Sequence, residues 1–588
     1  MRNWIWMLLG AALGQVAQMA DLQASWAYPI TVVGGAESSF KSDLTVAPTL
    51  IPQKYDVVIV GSGLAGLSAA VYLTDHGKHV LILEKEDHLG GLASSGSTRS
   101  GIRYDRGAAY WTDAYLEETK ILERIGLGDF MKKLPISEPA DSLLIPDPAT
   151  GKNRLHMGIW ETDEECVKLQ APYKGTALEG KYDCGLSSLS ADFALFQYEL
   201  VKANDAGLIG DQPIEEQKLD LDAYNAAEWI RAMPARIALR KEPEAQKIYQ
   251  RFLSDSRINK TDPMSGVIGL MNLYCRSALG TTSEFVSALA FANFYISEIT
   301  TRYATQTGTN GATVNMEKIL TARPKLAKAM TSSLVTKMKN TSNGATITYQ
   351  QGDQLFEVHS NFAIYAGAVK FAPKLIEGLS EASPEQAKIM NEMEYSHYSV
   401  HNVFLKGHPY RTTYDTWTLP SDATLEDFTD IILGRWMDPK INGYAGMRGF
   451  KKDPSDDEGI MTIYHPLPES YVGTGYTDQV ATQVAQHAVD RMLELFTPIM
   501  KDGNTFDIES VETSRWPFSV HIAKPGHFTH EARLLRQGFG QIFFANNNLG
   551  TPAFEEALFR GHCAADNILI RSLKGFERES WSRCPIDR

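Results

Sequence analysis

The chain has 588 residues, 43% hydrophobic and 22% charged, a balance that describes a folded globular protein and excludes a disordered or fibrous one. Its formal net charge of −14 speaks against nucleic acid as a partner, because phosphate binding requires clustered Lys and Arg. One hydrophobic core does not serve a chain this long, so two closely packed domains are expected.

The N-terminus reads as an address. Arg2 is followed by "WIWMLLGAALG" and then by small and polar residues, the layout of a secretory signal peptide over 1–27. Its apolar core of about ten residues is too short for a spanning helix, and no integral membrane span is expected elsewhere. No twin-arginine pair precedes it. Residues 28–53 form an arm. The five cysteines (Cys166, Cys184, Cys275, Cys563 and Cys584) include no Cys-x-x-Cys pair, so neither a metal site nor a disulfide framework is suggested. Cys166 and Cys184 are the nearest pair in sequence, but connectivity does not follow from spacing. Two sequons, at Asn259 and Asn340, suit a secreted protein.

The strongest signal lies in "YDVVIVGSGLAGLSAAVYLTDHGKHVLILEK", from Tyr55 to Lys85. An apolar run of the kind buried on both faces of a parallel sheet leads into Gly61, Gly63 and Gly66, then a small-residue helix, then a second buried strand ending at Glu84. Gly61 permits the tight turn, Gly63 lets the backbone approach a pyrophosphate, and Gly66 lets helix and strand pack closely. The helix start at Leu64 and Ala65 presents unpaired N–H groups to phosphate. Glu84 is placed to accept hydrogen bonds from a ribose diol, with Lys85 beside it. These features define a dinucleotide site.

The next stretch, "KEDHLGGLASSGSTRSGIRYDRGAAYW", carries a second glycine pair, Gly90 and Gly91, then Leu92, and an Asp-x-Gly turn ending in Gly107 and Ala108. With the preceding motif it resembles the flavin amine oxidase superfamily, which includes monoamine and polyamine oxidases and, more distantly, phytoene desaturases. The resemblance implies an α/β fold: a Rossmann-type FAD-binding domain interleaved with an α+β substrate-binding domain. FAD-binding segments are then expected over 54–130, 309–380 and 511–572. Between them fall a largely helical substrate domain (131–308) and a substrate-domain sheet (381–510), with a tail at 573–588. No second strand–GxGxxG–helix unit is present, which disfavours a separate NAD(P)H domain. The resemblance assigns Val335, within a β-meander with an "NG" turn at Asn343-Gly344, to the adenine. It also places Asn546, Ala553 and Phe554, in "GQIFFANNNLGTPAFEEALFRGHCAADNIL", at the flavin end, where a helix N-terminus would stabilise charge on the reduced ring.

Departures follow. Where the family often has Arg-x-Gly-Gly-Arg this chain has His88 and Leu92, leaving Arg99, Arg103, Arg106, Lys85 or Lys370 for the phosphates. The family lysine near flavin N5 aligns with Val400, next to His401. The two aromatic cage positions fall at about Ala523 and at Ala553, and the flavin-linking cysteine aligns with Ile522, so FAD is expected to be non-covalent. His521, His401 and Trp516 are the candidate catalytic residues, with His397 a further roof-strand histidine, because an imidazole beside the flavin could take a proton. "TTSEFVSALAFANFYISEI" (281–299) reads as one buried helix, and 395–465 as half-exposed strands that roof the site.

The expected function is a secreted or periplasmic FAD-dependent oxidoreductase that removes a hydride from a small molecule, foremost an amine, with oxygen or another acceptor taking the electrons. The alternative is a carbon–carbon desaturase or protoporphyrinogen-oxidase-like enzyme. A flavoprotein without its own substrate comes third, since electron transfer alone needs no large helical domain.

Overall fold

The computed structural model describes residues 28–34, 47–98, 103–112, 116–128, 141–147, 150–157, 190–210, 217–298, 302–303, 310–407, 414–433, 458–468, 471, 476–499 and 506–585. The proposed signal peptide, Cys166, Cys184 and Arg99 lie outside them.

In chain order the elements used below are β1 (Ile30–Val33), β2 (Tyr55–Val60), α1 (Leu64–Asp75), β3 (Val80–Leu83), α2 (Leu116–Arg124), β4 (Asp141–Pro146) and β5 (Asn153–Met157). A helical block follows: α3 (Ala191–Asp205), α4 (Ala226–Arg231), α5 (Met233–Leu239), α6 (Pro243–Ser254), α7 (Ser265–Leu279) and α8 (Ala288–Glu298). Next come α9 (Asn310–Thr321), β6 (Ala327–Met330), β7 (Leu334–Thr341), β8 (Gly344–Gln351) and β9 (Gln354–Tyr365). The last are β10 (Tyr395–Lys406), β11 (Asp415–Thr418), β12 (Asp430–Leu433), β13 (Glu458–Leu467), α10 (Asp478–Phe496), β14 (Ile508–His521), β15 (Ile542–Phe544) and α11 (Phe554–Ser572).

These elements build two sheets. In the first, β6, β3, β2 and the second half of β9 run parallel, β15 flanks β9, and the meander β7–β8–β9 extends the far side. The apolar run of β2 is buried because α1 and α11 cover one face of this sheet and the meander's residues pack on the other. The hairpin turn is shifted from its expected place: Ser342 and Asn343 make the connection, and Gly344 already pairs with Thr341. A Cβ on Gly344 would lie 2.0 Å from the Ser360 carbonyl oxygen, which explains the glycine.

The second sheet has eight strands in the order β1-β14-β10-β13-β12-β11-β4-β5. Residues 141–157, within a stretch expected to be largely helical, add a hairpin to its edge. The long β14 belongs here too, so the third nucleotide-side segment begins after His521 rather than at 511. Strands 395–406 and 458–467 are buried on both faces, not half-exposed as their polar alternation suggested. The front face bounds a cavity, and α10 packs across the back, where His401 bonds Thr513 and His465.

The helix expected over 281–299 starts only at Ala288. Ser287 caps it, its hydroxyl accepting from Leu289 N at 3.2 Å and donating to Asp222 at 2.8 Å.

Cys563 and Cys584 form a disulfide that pins the C-terminal tail to α11, and Cys275 is free and buried. The same tail stacks Trp581 on His562 (ring centroids 4.8 Å apart) and pairs Glu579 with Arg124 and Arg578 with Asp566. The bridged residues are 21 apart, and closing such a loop restricts the unfolded chain by about 3 kcal/mol. The Cys563→Ser/Cys584→Ser protein should therefore show a lower melting temperature, with trypsin cutting first at Lys574 or Arg578. An unchanged cleavage pattern would show that the ion pairs alone hold the tail.

Candidate active site

One cavity of about 1500 Å³ runs between the two sheets, and Gly61 and Gly63 of the dinucleotide motif open into it. Gly61 adopts φ +101° and Gly90 φ +117°, conformations that favour glycine. A Cβ on Gly66 would sit 2.1 Å from the Gly61 carbonyl oxygen, so Gly66 is the close-packing glycine the motif implies, set behind the cavity wall. Around Gly63 no atom crowds a Cβ, and the open space belongs to the cavity.

Glu84 is buried and fully oriented. Its Oε2 accepts from Ser62 N at 2.8 Å and Ser62 Oγ at 2.7 Å, and its Oε1 accepts from Glu86 N at 3.0 Å. Leu64, Ala65, Lys85, Gly90, Gly91, Leu92, Gly107, Ala108, Val335, Asn546, Ala553 and Phe554 also line this cavity. Segments far apart in sequence thus meet on one wall. No side chain caps the N-terminus of α1, which starts at the cavity with no acidic residue in its first turn and leaves its dipole free to face an anion. The helix α11 also starts at the cavity, with Glu555 and Glu556 in its first turn. Asn546 donates to the Gly367 carbonyl at 2.6 Å, while its Oδ1 is buried without a partner. That unpaired acceptor, the space over Gly63 and the oriented Glu84 fit a bound dinucleotide.

The phosphate candidates sort themselves. Arg106 is held by Glu512 in a bidentate pair (Nε–Oε1 2.7 Å, Nη2–Oε2 2.8 Å), so it is not available to a phosphate. Lys370 donates to the Met393 carbonyl. Lys85 lines the cavity, and the side chain of Arg103 lies outside the described residues.

The same cavity forms a chamber walled by Tyr110, Phe294, Tyr398, Trp417, Tyr464 and Trp516. Trp516 lines the cavity, its Nε1 donating to the Arg106 carbonyl at 2.6 Å. His401 and His521 do not line the cavity. Side chains alternate along a strand, so Val400 facing the cavity puts His401 on the back of the sheet. There His401 bonds Thr513 (3.1 Å) and His465 (3.1 Å), and burial lowers its pKa well below the usual histidine range. His397 is also turned away, its ring edge-on to Tyr476. His521 donates Nε2–H to the Gly550 carbonyl at 3.0 Å, and burial likewise lowers its pKa. Ala553 lies on the cavity wall as expected, but Ala523 does not; β14 instead presents residues 516–520.

Asp430 was missed in the sequence. It opens the apolar strand "DIIL" of β12 and reaches the chamber opposite Trp417 of β11, two residues along that strand from Asp415. An acid opening a buried strand was the available signal.

This architecture defines a class: the chain carries the two-domain fold of the flavin amine oxidases. Cyclohexylamine oxidase from Brevibacterium oxydans superposes with a TM-score of 0.54 at 18% identity, over 88% of this chain and 99% of that one. Residues 59–123 match the family model of the NAD(P)-binding Rossmann-like domain. Among curated proteins, human all-trans-retinol 13,14-reductase is 35% identical over 102 residues, 17% of this chain and 16% of that protein. (S)-6-hydroxynicotine oxidase of Paenarthrobacter nicotinovorans is 48% identical over 58 residues, 10% of this chain and 14% of that one. The matched stretches therefore span less than a fifth of these relatives. Among the described residues no helix is long and apolar enough to cross a membrane, and no cluster of three or more ligating side chains could hold a metal.

Proposed function

We propose that this protein is an oxidoreductase that binds FAD non-covalently and oxidises a small amine in the chamber between its two sheets. One observation carries the reading. The cavity is continuous from Glu84 through Asn546 and Ala553 to an aromatic chamber that also holds two carboxylates, Asp415 and Asp430. Its volume exceeds the roughly 300–1,000 Å³ of a single-ligand pocket, leaving room for dinucleotide and substrate together. Aromatic faces and carboxylates favour a cationic nitrogen over a neutral hydrocarbon.

FAD, when bound, supplies the hydride acceptor. The protein's own share is positional. Glu84 would hold the adenosine ribose, the N-terminus of α1 the pyrophosphate, and the N-terminus of α11 the ring end of the cofactor. Tyr464 donates its hydroxyl to the Gly107 carbonyl at 2.6 Å, fastening the roof to the nucleotide side. Tyr395 does the same through Asn548 Oδ1 at 2.7 Å.

The test is anaerobic bleaching of the bound flavin by a panel of primary amines, polyamines and amino acids. Rapid loss of the oxidised-flavin band with one class supports the reading, and no bleaching by any amine overturns it. A second reading, carbon–carbon dehydrogenation or reduction, draws on the similarity to the retinol reductase and on alanine at Ala553, where the family carries a cage ring.

We place the protein outside the reducing cytosol, on the strength of the N-terminal sequence and the Cys563–Cys584 bridge. Passed through a eukaryotic secretory pathway, it should carry a glycan on Asn259, which is exposed, and none on Asn340. The Asn340 amide donates to the Phe539 carbonyl at 2.7 Å and accepts from Gln541 N at 2.8 Å. Peptide mapping after glycosidase treatment checks both sites.

A further inference from the structure

The roof of the chamber replaces the family's lysine position with Val400, yet it is not without a proton-handling group. Strand register puts Val400, Tyr464 and Asp430 side by side: Val400 pairs with Tyr464 across β10–β13, and Tyr464 with Asp430 across β13–β12. Directly paired residues share a face, so all three look into the same cavity, as their place in its lining shows. The carboxylate lies two strands from Val400.

Its hydrogen bonds suit either protonation state. Oδ1 accepts from Ser277 Oγ at 2.7 Å and from Thr429 Oγ1 at 2.6 Å, and Oδ2 bonds to none of the described residues. Thr429 Oγ1 also lies 3.1 Å from the Tyr464 carbonyl oxygen. When Asp430 is ionised the threonine donates to it. When Asp430 is protonated the threonine turns its proton to that carbonyl and accepts from the acid. Ser277 Oγ is 3.3 Å from the Tyr398 hydroxyl, and both residues line the chamber, extending the network towards the substrate space.

The charged and titratable groups acting on it are Asp141 on β4, Tyr398 on β10 and Tyr464 on β13; Asp415 on β11 and Arg276 on α7 act on Tyr398. Asp141 is neutralised by Arg302, and Arg276 turns to the carbonyls of Leu425 and Asp427. No Lys or Arg among the described residues pairs with Asp430. Burial, with some repulsion from Asp141, raises its pKa to about 7 against the lowering by its two hydroxyl donors.

We propose that Asp430 is the proton acceptor of the chamber, taking one proton from the ammonium nitrogen of an entering amine. The N–H bond breaks, an O–H bond forms on the carboxyl group, and the amine is left neutral with its lone pair free; no electrons are exchanged with the protein. The assignment rests on the amine reading above.

The test uses flavin-loaded wild type, Asp430→Asn and Asp430→Glu. The probe is the α,α-dimethyl analogue of the amine that bleaches wild type fastest, which has no α-hydrogen to lose. Calorimetric titration in buffers of different ionisation enthalpy counts the protons released on binding. At about pH 8.5 amine and acid exchange a proton internally, so wild type and D430E should release none, while D430N should release about one. Near pH 5.5, with Asp430 already protonated, wild type should also release about one. In parallel, the pH profile of flavin reduction should show a step near 7 in wild type that D430N lacks. Equal proton release by wild type and D430N, or a step near 7 retained in D430N, overturns the proposal while leaving amine oxidation standing. Failure of every amine to bleach wild type removes the amine reading itself. Flavin content and melting temperature, expected to match wild type, report whether the variants fold.

Discussion

Glu84→Ala protein should emerge from purification nearly colourless, with affinity for added FAD at least about a hundredfold below wild type. Two losses combine. The ribose diol loses its acceptor, and Ser62 N–H and Glu86 N–H lose a buried charged partner at 2.8 and 3.0 Å. A buried donor left unpaired costs about 1–3 kcal/mol, so the turn carrying Gly61 and Gly63 is also released from its set position. Fluorescence titration of the apoprotein with FAD reads the change directly. Glu84→Gln, which keeps the shape and one acceptor, should fall between the two. If E84A binds FAD as wild type does, the nucleotide lies elsewhere in the cavity.

Alanine at Gly561 should be more damaging than its size suggests. In a helix interior, Gly to Ala ordinarily stabilises by about 1 kcal/mol. Here the added Cβ would lie 2.1 Å from the Ala65 carbonyl oxygen and 2.9 Å from Ala65 Cα, both backbone atoms of α1. Neither can turn aside, so the helices must separate, at a cost of roughly 2–3 kcal/mol and with loss of shape at both helix N-termini. Gly561→Ala should lower the melting temperature and the flavin content together. Gly269→Ala in α7, where nothing crowds the new Cβ, is the control and should raise the melting temperature slightly. An unchanged G561A melt would mean that α1 and α11 shift without consequence.

The parts of this site read from sequence are those whose chemistry is backbone chemistry. Gly61, Gly63, Gly66 and Glu84 sit at fixed offsets within one strand–helix–strand unit; the structure sets Gly61, Gly63 and Glu84 along one wall and packs Gly66 behind it. The closing helix was legible from its small residues. What escaped depends on parity and partners. His401 was a candidate because it neighbours Val400, yet one step along a strand reverses the face. Ser287 caps α8 only because Asp222, 65 residues earlier, receives its proton. Asp430 opens an apolar strand, a local oddity, but its place in the chamber is set by its register with Tyr464, which only the folded sheet supplies. Cys563 and Cys584 meet because the tail doubles back along α11, a path set by Trp581, Arg578 and Glu579 rather than by cysteine spacing.

The parallel pairing of β2 with β9, and of β9 with β15, has a consequence for biosynthesis. A strand formed by residue 60 waits for one ending at residue 365, and that strand for another ending at 544, before α11 can close over α1. Non-local pairings of this kind form late, after long stretches of chain have been ordered. A ribosome therefore releases almost the whole polypeptide before the dinucleotide wall exists. On the FAD reading proposed above, cofactor supply matters at the moment of final collapse rather than during translation. An expression host short of riboflavin should then accumulate chains that are complete in length and open at the cleft.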